Sequence, residues 1–463
     1  MITEWKRPAV IAAAFLAVAG AFCWLAGLSP ALPVVVAGLA YLAVRPLPGL
    51  VYVLVVLVAP LGLWMLRVEW FLGWVFGGRD YALSLSAAAV ACTLLVVTLI
   101  RRPPSRRQLL IAGAGLLVTG VGALVGIMHH GFGQTAVGGR LLMLPIVLAV
   151  VAAGLSERDL RRLVTVTAWL VVANAVATVA EVLIGPDQLV LWGFEVDRAI
   201  RIIGDTFRAP GLTEFNAELG MLAGAYLLGY VALWISRDLR PRAWSWHAGA
   251  ASAALCLVLS TSRSGALLLV GGLVAAVVLN RAGGPAARRR ARLLGAAVVA
   301  CVVAGFAALG AVGSTSTFDR LDNWAALLRD APLAYGWGLG GAGAATTSRV
   351  VGAGHQIFVD NYFLSIALQF GVPVLVVVLG LAGWGLLRLS RGSAAHPAHV
   401  VHLALLAGLL CGSLMIETWE YTGAMMVLAV FAAYAQRTAA AADPDVAPAP
   451  QRREPSAAVG SEP

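Results

Sequence analysis

Polar positions are scarce along this chain, and they come in clumps. Between the clumps run apolar stretches of about 17–22 residues, the length of helix that crosses a bilayer core. About 14 such runs, give or take two, follow one another between positions 9 and 435. Among them are 30–44, 48–65, 109–128, 141–155, 163–184, 217–235, 246–260, 265–280 and 361–387. The pattern predicts an all-α fold, a polytopic transmembrane helical bundle of about 12–14 spans with a large polar loop near 312–360.

Composition sharpens this. Of 463 residues, 60% are hydrophobic and only 12% charged, which excludes an ordinary soluble domain. The first run follows Lys6 and Arg7 without a small-x-small cleavage pattern and is expected to stay as an uncleaved first helix. The membrane domain is expected over 1–437. Residues 438–463, rich in Ala, Pro, Asp and Arg, are expected to form a disordered cytoplasmic tail.

Basic residues fall in alternate loops: Lys6/Arg7, Arg45, Arg101 to Arg107, Arg158 to Arg162, Arg237 to Arg242, Arg281 to Arg292, Arg388/Arg391 and Arg437. Placing these inside gives roughly 23 basic residues there against about 10 outside, so both termini are expected to be cytoplasmic. The net charge of +10 is then a topology signal plus contact with anionic membrane lipid, and needs no nucleic acid. Cys23, Cys92, Cys256, Cys301 and Cys411 lie singly inside runs and are expected to be packing residues. Trp5, Trp64, Trp234, Trp246 and Trp384 lie near run ends, as interfacial residues do.

With that orientation, the unusual charges gather on the outer side. One group spans Gly185 to Asn216 and includes Arg198, Arg201, Arg208 and Glu214; another spans Gly313 to Asp360 and includes Arg320, Arg329, Arg349 and His355. Glu417 and Glu420 mark the last outer turn, placing an acceptor or capping a hairpin. Arg263 stands in Thr261-Ser262-Arg263-Ser264-Gly265, a tight turn between two apolar runs. A charge held there is a functional-site candidate, and guanidinium groups suit a lipid-linked phosphate or diphosphate.

Other motifs point less far. Gly336-Trp337-Gly338-Leu339-Gly340-Gly341 lacks the preceding strand pattern of a nucleotide loop, so a flexible turn or a re-entrant elbow approaching a ligand is expected. His129 and His130 face different sides of a helix with no third ligand, and no metal site is expected. His396, His399 and His402 open an inner-side run and are expected at the interface.

Four segments together resemble the O-antigen ligase and O-antigen polymerase superfamily of membrane glycosyltransferases. They are Arg208-Ala209-Pro210-Gly211 leading to Asn216; Ser262-Arg263-Ser264-Gly265; Trp324 with Ala331-Pro332-Leu333 and the glycine run; and Asp360-Asn361-Tyr362-Phe363-Leu364 followed by Gly371. The signature region is about 200–390. The resemblance implies a GT-C-like bundle in a bacterial cytoplasmic membrane, acting on its extracytoplasmic face without metal or other cofactor. It also implies transfer of glycan from an undecaprenyl-diphosphate-linked oligosaccharide donor to a hydroxyl of a glycan or lipid-linked acceptor, alongside polysaccharide assembly partners.

On this reading Arg208 and Arg263 hold the diphosphate. Asp360 stands where many members have His and serves as base, or His355 takes that role, while Arg201, Asn216, Arg320, Asn361 and Glu417 contact substrate. From its position alone, Asp360 is equally a helix N-cap. The departure from His favours a polymerase over a ligase. The competing classes are a transporter or flippase, which would hold charges at mid-membrane in two related halves, and a non-catalytic assembly subunit.

Overall fold

The computed structural model describes residues 6–25, 32–60, 79–192, 194, 200–203, 206–236, 239–280, 324–325, 327–329, 333–347 and 359–442, with isolated positions between 289 and 300. The chain is a helical membrane protein. Its helices are α1 (Lys6–Leu25), α2 (Leu32–Val44), α3 (Pro46–Val58), α4 (Arg79–Arg101), α5 (Arg106–Ala153), α6 (Glu157–Ile184) and α7 (Pro186–Leu191). After a short hairpin, β1 (Arg201–Ile203) and β2 (Thr206–Arg208), come α8 (Asn216–Ile235), α9 (Trp244–Leu259) and α10 (Arg263–Val278). The chain then continues through α11 (Tyr362–Phe370), α12 (Val372–Gly392), α13 (Pro397–Gly412) and α14 (Thr422–Ala442).

Among the described residues, 5 helices are long and apolar enough to cross a membrane, or 6 if α2 and α3, bent 116° apart, are one broken span. Among the described residues, shorter apolar helices, α9, α10 and α13 among them, carry further runs. Runs 109–128 and 141–155 fall on the two helical halves of α5, which spans 48 residues and is broken by a non-helical kink at Gly131 (φ 82°, ψ 171°). At 1.5 Å per residue it would be about 72 Å long if straight, far more than one bilayer core. Run 361–387 is split at Gly371 (φ 86°), where α11 ends and α12 starts with a proline in its first turn. Arg45, extended before Pro46, makes the bend between α2 and α3.

The centre of the bundle is α8, packed against α9, α10, α13 and α14. Gly220 and Gly224, one turn apart, let α8 and α10 touch backbone to backbone. A Cβ on Gly220 would run into the Ser262 side chain, and one on Gly224 into the Gly265 carbonyl. Small residues at this spacing are how membrane helices approach closely. Deeper in, Tyr226 crosses Phe431 edge-on at 5.5 Å and donates to the Trp246 carbonyl at 3.2 Å.

Several expectations change here. Trp246 is buried in the core and donates to Thr165 at 3.0 Å rather than lying in an interfacial belt. Trp384 is exposed, with Arg388 5.3 Å over its ring. His402 is half-buried against the Ala432 carbonyl at 3.0 Å. Cys256 is buried, as a packing residue is, whereas Cys92 faces outward from α4. Helix α14 runs on past Arg437 to Ala442, because the Thr-Ala-Ala-Ala-Ala sequence there has high helix propensity. Trp5, Trp64 and Cys301 lie outside the described residues.

Candidate functional site

The site starts with the hairpin. Arg201 and Arg208 are Cα partners across β1 and β2, so both side chains leave the same face. Arg201 is exposed and Arg208 half-buried. The chain then turns through Gly211 (φ 62°), and α6 holds that turn from below. Glu181 accepts the Gly211 amide at 2.8 Å, and Asn174 accepts the Leu212 amide at 3.0 Å. Both are buried polar residues on a transmembrane helix, each matched to a backbone donor.

Four residues on, α8 begins at Asn216. Its side-chain amide donates to the Ser260 carbonyl at 3.1 Å, fastening the start of α8 to the turn between α9 and α10. In that turn Thr261 has φ 48°, a left-handed conformation rare for a β-branched residue. Ser262 caps α10, and its hydroxyl accepts the Gly265 amide at 3.4 Å. Arg263 is therefore the first residue of α10, half-buried among the buried residues Thr261, Ser262 and Ser264. The N-termini of α8 and α10 lie side by side, an arrangement whose partial positive charge favours anions.

The glycine run forms the expected elbow, but what its backbone approaches is protein. The Leu339 amide donates to the Gly122 carbonyl of α5 at 2.8 Å, and Gln134 donates to the Gly340 carbonyl at 2.7 Å. His130 bonds the Trp337 carbonyl at 2.8 Å. Gly336, Gly338 and Gly340 all have positive φ, and a Cβ on any of them would strike backbone of α11 or α5. The alternating glycines thus seat the loop in the kink of α5.

The second half of the site is the Asp360-Asn361 segment. Asn361, not Asp360, is the N-cap of α11, accepting the Leu364 amide at 3.1 Å. Asp360 sits just before the cap with φ 49°. Thr261 and Asp360 are the two non-glycine residues with positive φ among the described residues. Glu417 does not cap a hairpin: its Oε1 accepts the amides of Val359 at 3.3 Å and Asp360 at 3.1 Å. Glu420, across the 3-10 turn Thr418–Glu420, accepts the Ala344 amide at 2.7 Å.

Electrostatics bind this region together. Burial, then the nearby Asp360 charge, push the Glu417 carboxyl up to about 7. Burial, then Glu417, push Glu420 up to about 8. Burial raises the Tyr421 hydroxyl well above its ordinary value, with further increments from the carboxylates of Glu417, Asp360, Glu218 and Glu420. Tyr421 also crosses Phe215 edge-on at 5.9 Å, and Tyr362 stacks on Trp419 at 6.4 Å. Asn216 thus holds Ser260, its neighbour Phe215 packs on Tyr421, and the Tyr421 amide donates to the carbonyl of Thr418, next to the Glu417 that accepts the Asp360 amide.

Of the expected site residues, the structure brings Asn216, Arg263, Asp360, Asn361 and Glu417 to one end of the bundle. Arg208 precedes the turn that leads to Asn216. Arg201 lies on the exposed limb of the hairpin, and His355 and Arg320 lie outside the described residues. Sequence reasoning passed over Glu181, Asn174 and Gln369. The first two were findable: with Thr178 they make a polar stripe at i, i+4 and i+7 on an otherwise apolar helix. Gln369 accepts the Gly340 amide at 2.8 Å and gave no such signal.

No protein-family model matches the chain, and no curated protein matches it.

Proposed function

We propose that this chain is a metal-independent membrane glycosyltransferase that uses an undecaprenyl-diphosphate-linked oligosaccharide as donor, and that it most closely fits a polysaccharide polymerase. The observation that supports this reading is that the turn carrying Arg263 and the segment carrying Asp360 share one end of the bundle, an arginine and a carboxylate together.

In this mechanism Arg263, beside the adjoining N-termini of α8 and α10, holds the donor diphosphate, with Arg208 closing from the hairpin. Asp360 takes the proton from the attacking hydroxyl of the acceptor. The bond between the anomeric carbon and the diphosphate oxygen breaks, a new carbon–oxygen bond to the acceptor forms, and the diphosphate leaves with the electron pair. The arginines stabilise the charge that accumulates there. Active face and membrane follow the sequence reading: the extracytoplasmic side of a bacterial cytoplasmic membrane. The alternative acceptor, a lipid or cell-wall group, would make the same chemistry that of a ligase.

Against the transporter reading stands the sequence, which carries no pair of related halves. The test is reconstitution of the full chain in vesicles with a lipid-diphosphate-linked oligosaccharide, following chain growth on a gel. Wild-type protein should extend the glycan, and R263A and R208A should not. Chain growth at the wild-type rate in both variants would overturn the diphosphate role.

A further inference from the structure

Asp360 has φ 49°, a left-handed conformation that costs most non-glycine residues roughly 1–2 kcal/mol and that aspartate adopts more readily than most. The bonds that fix this segment can be named. The amides of Val359 and Asp360 both donate to one oxygen of Glu417. The Val359 carbonyl accepts the Trp324 indole N–H. The Tyr362 amide donates to the Ser413 carbonyl at 2.8 Å, and Asn361 is occupied in capping α11. Two of these anchors, Ser413 and Glu417, belong to the short connection between α13 and α14. That connection is itself pinned, since the Trp419 indole donates to the Leu142 carbonyl of α5 at 2.9 Å.

Glu417 is only 7% exposed, and one of its oxygens already serves two backbone donors. A side chain so placed is poorly available to a sugar. Three residues on, Glu420 performs the parallel task for the glycine elbow through the Ala344 amide. A single turn of chain thus fixes both the elbow and the residue before α11.

We propose that Glu417 is a positioning residue, whose carboxylate reach, rather than its charge or any substrate contact, sets the backbone of Asp360 for its role as base. This rests on the reading of Asp360 given above, and it reassigns Glu417 from substrate contact to support. Misplacement of a reacting group by about 1 Å can cost on the order of a hundredfold in rate.

The experiment uses the full chain in nanodiscs with three variants and two readouts. Glu417→Gln keeps an acceptor oxygen at the same reach without charge. Glu417→Asp keeps the ionisable carboxyl but draws it back by one methylene, and Glu417→Ala removes both. Hydrogen exchange at the amides of 359–360 reads the clamp without any need for turnover. Transfer kinetics on a lipid-diphosphate-linked oligosaccharide read the reaction.

Exchange at 359–360 should rise about tenfold or more in E417A and E417D and stay at the wild-type level in E417Q. In the transfer assay kcat should fall by a similar factor in E417A and E417D, with KM within about twofold and E417Q close to wild type. Unchanged exchange in E417A would overturn the clamp. Activity retained by E417D and lost by E417Q would overturn it too, since charge would then matter more than reach. A raised KM in E417Q would show substrate contact instead. If wild-type protein transfers nothing, the proposed function fails, while the exchange readout still decides the clamp.

Discussion

The side-chain amide of Asn216 donates to the Ser260 carbonyl at 3.1 Å, and through that bond the first turn of α8 holds the turn that presents Arg263. Asn216 is buried, and the Ser260 carbonyl has few other routes to a donor. The N216A variant should therefore lose about 1–3 kcal/mol of stability from a stranded buried acceptor. Thermal unfolding in nanodiscs measures this. A melting temperature equal to wild type would mean the bond contributes nothing.

Arg263 carries the sharpest prediction for chemistry. A lysine at this position keeps the charge but loses the planar fork that pairs with two phosphate oxygens. R263K should lower transfer by about 10-fold or more and R263A by about 100-fold or more, from the loss of an electrostatic contact made in the transition state. Steady-state kinetics with the lipid-linked donor provide the check. Equal rates in R263A and wild type would remove Arg263 from the site.

Stability should fall as pH rises through the neutral range. The carboxyls of Glu417 and Glu420 stand at about 7 and about 8 in the fold, against an ordinary value of 4.5. Between those limits the folded chain binds more protons than the unfolded one, so the stabilising contribution is complete below pH 4.5 and lost by about pH 8. Melting temperature measured from pH 5 to pH 9 should decline, and the E417Q/E420Q double variant should flatten the curve. A wild-type curve that rises over this range contradicts the assignment.

Gly338 tests how the elbow is seated. Its φ is 85°, and a Cβ there would strike the Gly126 backbone of α5. G338A should destabilise by roughly 1–3 kcal/mol from backbone strain alone, with further loss as α5 is displaced. Gly380, inside α12, where a Cβ meets nothing within 4 Å, is the control: G380A should melt at or slightly above wild type. If the two variants melt together, the elbow does not depend on its glycines.

Glu181 tests the support beneath the hairpin. E181Q keeps an acceptor for the Gly211 amide, whereas E181L strands a buried donor at a cost of about 1–3 kcal/mol. The leucine variant should also lose transfer activity, because the turn after Arg208 is no longer anchored. Matching activity in E181L and wild type would show that this anchor is dispensable.

Much of the fold was legible because hydrophobic runs are a local signal. Runs of apolar residues forecast α6, α8, α9 and α10 closely, since each needs only its own length and polarity to be recognised. The pattern failed where one glycine decided the outcome. Gly371 breaks the run 361–387 into α11 and α12, because a single residue's φ leaves no trace in a hydropathy pattern. At the site, the segments themselves stood out as polar residues among apolar ones, but their functions inside the fold did not. Asp360 and Asn361 are adjacent and both suited to capping, and Asn361 takes the cap.

Composition and patterning alone make this a helical membrane protein whose scarce charges collect in a few segments, since burying apolar surface in lipid leaves little other choice. Which of those segments meet is set by how the helices pack. Glu417 reaches the Asp360 amide across a sequence separation of 57, and Asn216 reaches Ser260 across 44. Such pairings depend on how helices dock through small residues such as Gly220 and Gly224, and on which backbone donors are left unsatisfied at their ends. Those are properties of the packed bundle, and Arg263 and Asp360 come to share one end of it only there.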